Sequence, residues 1–125
     1  MEVGDTITKQ RTFTNEEIIA FGELTRNTGL VHIEPDEFGR LMVQGLLTAS
    51  IITEIGGELG LLGQNMNFSF VRAVYTGDTI TCNLHIDRIE ELDRSSNIFF
   101  SSEFINLNNK IVLTADGKGV LIKTG

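Results

Sequence analysis

The sequence predicts an α+β fold in which one long, apolar helix lies against an antiparallel sheet, and two patterns carry this prediction. Residues 42–62 form the longest apolar run in the chain. Five large aliphatic residues recur in that run at helical spacing: Leu47, Ile51, Ile52, Ile55 and Leu59. After Asn65 the hydrophobic period shortens to two residues, which indicates half-buried strands. One apolar helix followed by strands that can wrap it is typical of an α+β fold with a single core.

The N-terminal third is predicted to contain one strand, one short helix and a loop. Residues 6–13 are rich in β-prone threonine. Thr14 and Glu17 have the spacing of a capping box, in which each side chain bonds the backbone N–H of the other residue. Three residues form the apolar face of the helix that follows: Ile18, Phe21 and Leu24. We expect this helix to end near Thr25, and a glycine and the chain's one proline then predict loop over residues 26–38.

The first strands after the helix are recognisable from alternation. Residues 65–70 alternate polar and apolar side chains, and residues 79–89 do so over a longer stretch. The inward-facing residues of the longer strand are Ile80, Cys82, Leu84 and Ile86. This register puts His85 on the opposite face, toward solvent or a partner.

The last strands are joined by turns. Residues 98–107 form the next predicted strand, and Asn108-Asn109 is a tight hairpin signal. Residues 111–113 and 120–122 complete the sheet, with an irregular, glycine-rich stretch between them. The 98–107 strand carries Ile98, Phe100 and Phe104 on one face and Phe99 and Ile105 on the other. Apolar side chains on both faces of a strand predict coverage by a second subunit.

Composition bounds the class of protein. The chain has 125 residues, enough for one domain with a core, and its 10 basic and 17 acidic residues give a net charge of −7. This balance disfavours nucleic acid and anionic membrane surfaces as partners. The apolar run is too short, and too interrupted by glycine and charge, to span a membrane. One cysteine, Cys82, excludes an internal disulfide, and the N-terminus has no secretion-signal pattern, so we expect a cytoplasmic location.

His32 is the candidate catalytic side chain that the residues alone suggest. It lies between Val31 and Ile33 in the polar loop that leads into the apolar helix. On the residues alone, a structural histidine at the edge of the core is favoured over a catalytic one. The helix start beside it offers unpaired N–H groups, which are useful to a site that must stabilise negative charge.

Several segments in order resemble the MaoC-like (R)-specific enoyl-CoA hydratases and 3-hydroxyacyl dehydratases, which have the hot-dog fold. The matching segments are VGD at 3–5, FTNEE at 13–17, TRNTGLVHIEPDEF at 25–38, RLMVQGLLTAS at 40–50 and FVRAVYTGDT at 70–79. The similarity covers nearly the whole chain. It implies a single MaoC-like hot-dog domain over residues 1–125, with an antiparallel sheet wrapped around one long central helix and subunits paired into homodimers or higher homo-oligomers.

The resemblance also implies a substrate and a site. The substrate would be a thioester of CoA or of the phosphopantetheine of acyl carrier protein, in fatty acid metabolism, with no cofactor and no metal. The catalytic positions would be His32, Asn27 and Gly45, the last through its backbone N–H. The substrate-binding positions would be Gln44, Val43, Ser50, Thr53 and Arg72, of which Arg72 would contact the anionic part of CoA.

The departures from the family pattern leave three functions open. Asn27 stands where the family has its catalytic Asp, Gln44 stands at the His of the His-Gly pair, and the preceding segment is shorter. The first reading is a lyase with a degenerate dyad, which reversibly hydrates trans-2-enoyl-CoA or dehydrates an (R)-3-hydroxyacyl thioester. The second is a non-catalytic thioester-binding protein or a silent hot-dog partner subunit. The third is an acyl-CoA thioesterase, which would need Glu54 or Glu23 at the carbonyl.

Overall fold

The computed structural model describes residues 1–123 and contains five strands and three α-helices. In chain order the elements are β1 (Thr6–Thr12), α1 (Asn15–Thr25), a 3₁₀ turn (Leu30–His32), α2 (Gly45–Ala49), α3 (Ile51–Leu59), β2 (Leu61–Phe70), β3 (Thr79–Glu91), β4 (Ser95–Ile105) and β5 (Ile111–Ile122). Within these residues no helix is both long and apolar enough to cross a membrane.

The five strands form one antiparallel sheet in the order β1-β3-β4-β5-β2, so β1 and β2 are its edges. The inner face packs against α2 and α3 around a continuous apolar core. The predicted alternation in β3 is confirmed, because Ile80, Cys82, Leu84 and Ile86 are each at most 2% exposed. The predicted α+β fold with a central helix is therefore confirmed.

The capping box at the start of α1 is also present. Thr14 Oγ1 accepts from the N–H of Glu17, and the Glu17 carboxylate accepts from the N–H of Thr14. The predicted apolar face of α1 is only partly right: Ile18 is fully buried, but Leu24 is 82% exposed. The helix packs on the core as far as Phe21 and Gly22, and Leu24 in its last turn lies outside the core.

The central helix has two segments, where the sequence predicted one. Its span of 15 residues from Gly45 to Leu59 agrees with the expectation, but the regular pattern is interrupted at Ser50. The Ser50 N–H is shared between the carbonyls of Leu46 and Leu47, and its hydroxyl donates to Leu47 O at 2.5 Å. A serine hydroxyl that bonds the preceding turn commonly bends a helix. Helix α3 then ends at Gly60, which adopts a left-handed conformation (φ 73°).

The predicted irregular stretch at residues 116–119 is wrong, because β5 runs without interruption from Ile111 to Ile122. Gly117 does not break this strand. It is needed because the neighbouring strand lies too close to leave room for a side chain. A Cβ at Gly117 would lie 2.1 Å from the carbonyl oxygen of Asn65 on β2. The irregularity lies instead in β2, where the register with β5 shifts between Gly63 and Asn65.

Most side chains that β4 presents on the outer face of the sheet are polar. Its two outward apolar residues therefore do not require a second subunit to cover them. Between Phe99 and Ile105 on that face lie Ser101 and Glu103, and the guanidinium of Arg88 lies 3.8 Å from the centroid of the Phe99 ring. His85 faces outward as predicted. Its ring bonds Thr6 Oγ1 at 2.9 Å and the Glu103 carboxylate at 2.9 and 3.0 Å.

Candidate active site

A cavity of about 670 Å³ opens beside the start of α2. Its walls come from the end of α1, the loop that carries His32, the first turn of α2, the segment after β2 and the start of β5. Most of the lining side chains are apolar. The polar ones are Thr25, Asn27, His32, Gln44, Thr48 and Arg72. An apolar cavity with a few convergent polar groups is the usual form of a small-molecule site.

His32 is half-buried, and its ring orientation is fixed by the backbone. Its Nδ1 lies 2.7 Å from the carbonyl oxygen of Met42. A carbonyl oxygen can only accept, so Nδ1 carries the hydrogen and Nε2 of the neutral ring keeps a free lone pair. The backbone supports this geometry from both sides, since His32 N–H donates to Gly29 O and Met42 N–H donates to Val31 O. The arrangement leaves Nε2 available as a proton acceptor.

Asn27 lines the same cavity, but its side chain is engaged locally. It follows Arg26, which ends α1 in a left-handed conformation (φ 60°). Asn27 Oδ1 accepts from the N–H of Gly29 at 3.3 Å. An amide at this position can hold a water molecule but cannot take its proton at neutral pH.

Gln44 is buried at the N-cap of α2, with 3% of its surface exposed. Its Nε2 donates to the carbonyl of Ile18 at 2.9 Å, while its Oε1 has no hydrogen-bond partner in the described part of the chain. Thr48, one turn later and 2% exposed, likewise has an unpartnered Oγ1. Two unsatisfied buried polar atoms one helical turn apart are unusual, because most such atoms in folded proteins are paired.

Gly45 begins α2 directly under an aromatic ring. A Cβ at this residue would lie 2.6 Å from Cε1 and 2.8 Å from Cδ1 of Phe70. A glycine was expected here to let a thioester approach closely. In the structure the close neighbour is instead the Phe70 ring, which is 55% exposed at the end of β2.

The remaining predicted binding residues divide between two places. Val43 and Arg72 line the cavity with His32, and Arg72 Nη1 donates to Ile111 O at 2.6 Å. Thr53 lines a second cavity of about 290 Å³ between α3 and the sheet. The hydroxyl of Ser50 bonds Leu47 O, and that of Thr53 bonds Ser50 O at 2.6 Å.

No carboxylate lines the cavity that contains His32, as far as residues 1–123 describe it. Glu54 and Glu23 are both exposed. Within the same residues, no three His, Cys, Asp or Glu side chains are grouped as a metal ion would require. Among the described side chains that line this cavity, the charged or ionisable ones are therefore His32 and Arg72.

Two features of the site were missed by sequence reasoning. The alternation of residues 65–70 predicts Phe70 on a strand face, and nothing in its spacing indicates contact with Gly45. Thr48 was not singled out. The available signal was its position four residues after Gln44, which puts both side chains on one side of the first helical turn.

No protein-family model matches the chain. Among curated proteins, it is 25% identical over 129 residues to the mitochondrial 3-hydroxyacyl-[acyl-carrier-protein] dehydratase of Arabidopsis thaliana, covering 97% of this chain and 78% of the relative. It is 27% identical over 106 residues to the (R)-specific enoyl-CoA hydratase of Aeromonas caviae, covering 73% of this chain and 75% of that one.

Solved structures agree in fold. The R-hydratase PhaJ1 from Pseudomonas aeruginosa superposes with a TM-score of 0.85 at 16% identity, over 99% of this chain and 84% of the other. The MaoC-like dehydratase from Rhodospirillum rubrum gives a TM-score of 0.79 at 17% identity, over 100% and 95%. These likenesses establish the hot-dog fold. Together with the sequence similarities they support the resemblance to the MaoC-like hydratases and dehydratases first seen in the sequence motifs.

Proposed function

We propose that the cavity beside α2 binds an acyl thioester of CoA or acyl carrier protein. There the chain catalyses the reversible hydration of a trans-2-enoyl thioester, or the dehydration of the (R)-3-hydroxyacyl thioester, with His32 as the acid/base. The observation that carries the proposal is the His32 ring, held through Nδ1 by Met42 O with Nε2 free. Relatives of the chain are an enoyl-CoA hydratase and a 3-hydroxyacyl dehydratase, which supports the same class of reaction.

The reaction needs one proton acceptor and a way to stabilise enolate charge. In hydration, the water oxygen bonds C3 while Nε2 of His32 takes a proton from that water. The π electrons of the double bond move through C2 to the thioester oxygen, and the imidazolium then delivers a proton to C2. The Gly45 N–H is proposed to donate to the thioester oxygen, and Phe70 would move aside to admit it. Atoms and charge balance without a cofactor.

The rest of the proposed site follows the cavity. Val43 and Gln44 line it and would contact the acyl group, while Arg72 would contact the anionic part of CoA. Ser50 and Thr53, proposed earlier as binding residues, lie outside this lining. Thr53 would reach an acyl chain only if the chain extended to the second cavity. Asn27 would hold water without accepting its proton.

A second candidate function has its own observation. The cavity presents the amide of Asn27 where the family pattern has a carboxylate, and the amide of Gln44 where that pattern has a histidine. This favours a thioester-binding protein or a silent partner of a catalytic hot-dog subunit. Hydrolysis of the thioester is less well supported, because Glu54 and Glu23 do not line the cavity.

We also propose that the chain acts as one domain and assembles as a homodimer or higher homo-oligomer. Strand β2 supports this, since it is an edge of the sheet and most of its ten residues are exposed. Leu62 is 59% exposed on this strand, and Val71 is 51% exposed just after it. A long, exposed edge strand with apolar residues is a template for pairing with a second chain.

The test is the hydration of crotonyl-CoA, followed by loss of enoyl absorbance. We expect weak activity in the wild type, no activity in His32→Ala and a gain in Asn27→Asp. A missing acid/base group typically costs on the order of 10²–10⁴ in rate, which sets the scale of the gain. His85→Ala is the matched control, because it removes the chain's other histidine from the outer face and should keep the wild-type rate.

The outcomes separate the candidate functions. If the wild type and Asn27→Asp both fail to hydrate crotonyl-CoA but calorimetry detects acyl-CoA binding, the lyase proposal is wrong and the binding protein remains. Activity that survives in His32→Ala would remove His32 from the mechanism. Release of free CoA without hydration would identify a thioesterase.

A further inference from the structure

The carbonyl oxygen of Met42, which orients the His32 ring, belongs to a short extended segment with a neighbour on each side. On one side Met42 forms a β-bridge with Tyr75. On the other side its N–H donates to Val31 O at 2.9 Å, and its carbonyl oxygen lies 2.7 Å from His32 Nδ1. The orientation of the imidazole therefore depends on where the backbone at Met42 is held.

The residues just before Met42 form a tight turn that closes on Asp36. Both backbone polar groups of Arg40 bond this residue: the Arg40 N–H donates to Asp36 Oδ1 at 2.9 Å, and the Asp36 N–H donates to Arg40 O at 2.8 Å. Asp36 Oδ1 also accepts from the N–H of Phe38 at 2.9 Å, and Oδ2 accepts from Arg40 Nε at 2.9 Å. Gly39 adopts a left-handed conformation in this turn, with φ 78°. One carboxylate thus fixes the backbone two residues before Met42.

The Arg40 side chain joins the same turn to the segment opposite Met42. Its Cζ lies 4.4 Å from the centroid of the Tyr75 ring, and Tyr75 is the bridge partner of Met42. A guanidinium over an aromatic face is attracted by the quadrupole of the ring. The hydrogen bond from the Arg40 N–H, helped by those from the Phe38 N–H and the guanidinium, holds the pKa of the Asp36 carboxyl below its ordinary value. The group that closes the turn is therefore a carboxylate at neutral pH.

We propose that Asp36 and Arg40 are positioning residues that keep the His32 ring in the form with its hydrogen on Nδ1. This inference rests on the proposed function, in which Nε2 of His32 takes the proton from water. Neither Asp36 nor Arg40 lines the cavity, so neither would touch the substrate. They act through the Met42 carbonyl. When that oxygen is no longer held in place, the imidazole can turn or carry its hydrogen on Nε2, and the lone pair that the reaction needs is lost.

The tautomer of each histidine can be measured directly, because the chain has only two of them. A long-range proton–nitrogen correlation spectrum, recorded at about pH 8 where imidazoles are usually neutral, distinguishes the two ring nitrogens. In the wild type we expect the hydrogen on Nδ1 of His32. We expect it on Nε2 of His85, because that nitrogen lies against the Glu103 carboxylate, which can only accept. His32→Ala and His85→Ala assign the two sets of signals.

Asp36→Ala is the main test, since it removes the acceptor of the bonds from the Phe38 N–H, the Arg40 N–H and Arg40 Nε. It should convert the His32 ring to a mixture of the two tautomers and leave the His85 ring unchanged. In the Asn27→Asp background, it should lower kcat for crotonyl-CoA roughly tenfold, a part of the contribution on the order of 10²–10⁴ that an acid/base group makes. KM should change little. Asp36→Asn keeps an oxygen for the two backbone N–H groups and should restore most of the Nδ1 hydrogen.

Glu91→Ala is the matched control. This carboxylate also closes a surface ion pair, since it accepts from Lys123 Nζ and from Ser96 Oγ, each at 2.8 Å, but it lies at the end of β3 and does not line the cavity. Its removal should leave both histidine rings, kcat and KM unchanged. If Asp36→Ala loses its fold, the His85 signals change as well. Arg40→Met, which keeps an unbranched stem and loses the guanidinium over Tyr75, then decides, and it should show the same mixture at His32.

A mixture of tautomers at His32 in Asp36→Ala, with a lower kcat, a retained KM and recovery in Asp36→Asn, establishes the positioning role. A His32 ring that keeps its Nδ1 hydrogen in both Asp36→Ala and Arg40→Met overturns the role, whatever the rates. An altered tautomer with unchanged kcat also overturns it. If the tautomer changes but no variant hydrates crotonyl-CoA, Asp36 and Arg40 do position His32, and it is the proposed lyase function that fails.

Discussion

The contact between Gly45 and Phe70 gives a prediction with a magnitude that can be worked out from the structure. A Cβ at Gly45 would lie 2.6, 2.8 and 3.3 Å from three carbons of the Phe70 ring. Carbon atoms pack best at about 3.5–4.0 Å, so in Gly45→Ala the ring must retreat by roughly 1 Å. Overpacking of this kind costs about 1–3 kcal/mol. Alanine in a helix recovers about 0.5–1 kcal/mol relative to glycine.

We expect Gly45→Ala to lower the free energy of unfolding by about 1 kcal/mol, because the half-exposed Phe70 ring can shift toward solvent. In a Phe70→Ala background the clash is gone, so the same change should stabilise the chain by about 0.5–1 kcal/mol. The coupling energy of this double-mutant cycle is therefore about 1.5–2 kcal/mol. Urea unfolding followed by circular dichroism is the assay, since the chain has no tryptophan and one tyrosine.

Gly57→Ala is the matched control for this cycle. A Cβ at Gly57, inside α3, would meet no atom within 4 Å. It should stabilise the protein by about 0.5–1 kcal/mol whether or not Phe70 is present. Additivity of Gly45→Ala and Phe70→Ala to within about 0.5 kcal/mol would refute the contact, because non-interacting sites behave in that way.

Three further predictions concern the framework around the site. Gly117→Ala should cost about 3 kcal/mol in urea unfolding, because its Cβ would press on the backbone of Asn65 and force β5 and β2 apart; a loss below about 1 kcal/mol would contradict that approach. Thr14→Ala should cost about 1 kcal/mol through loss of the capping box, and a neutral result would count against the cap. Burial raises the pKa of the Cys82 thiol from 9.0 to about 12, with the nearby Glu103 carboxylate as a smaller cause. The unfolded chain ionises first, so the stability carried by the neutral thiol is complete below pH 9 and is lost as pH rises toward 12. The stability difference between wild type and Cys82→Ala should shrink by about 1.4 kcal/mol between about pH 8 and about pH 10, and an unchanged difference would be inconsistent with the raised pKa.

The fold was largely readable from periodicity because β3 and the central helix each bury one regular face. The capping box at Thr14 was also predictable, because it depends on two residues only three positions apart. The errors came from contacts distant in sequence. The apparent break at Gly117 is a glycine required by the neighbouring strand, and the bend at Ser50 depends on which turn its hydroxyl bonds. Neither can be inferred from a sequence window.

The candidate site was only partly accessible from sequence. The residues alone suggested His32, resemblance to the family added Asn27, Gln44 and Gly45, and all four line one cavity. Periodicity could not have grouped them, since the loop around His32 has no repeating pattern. The missing partner of Thr48 became visible only in three dimensions, because a hydrogen-bond inventory needs coordinates.

The strand order has a consequence for how the chain folds. Strands β3, β4 and β5 are sequential hairpins, whereas β1 must close a gap of 79 residues to pair Thr6 with His85. Loop closure of this length delays pairing, so we expect the three-strand meander to form first and both edge strands to add later. Cys82 lies on the inner face of β3, and the helix must dock there before the thiol is covered. In a refolding experiment, the rate at which Cys82 becomes protected from alkylation would therefore measure the rate at which the central helix packs on the sheet.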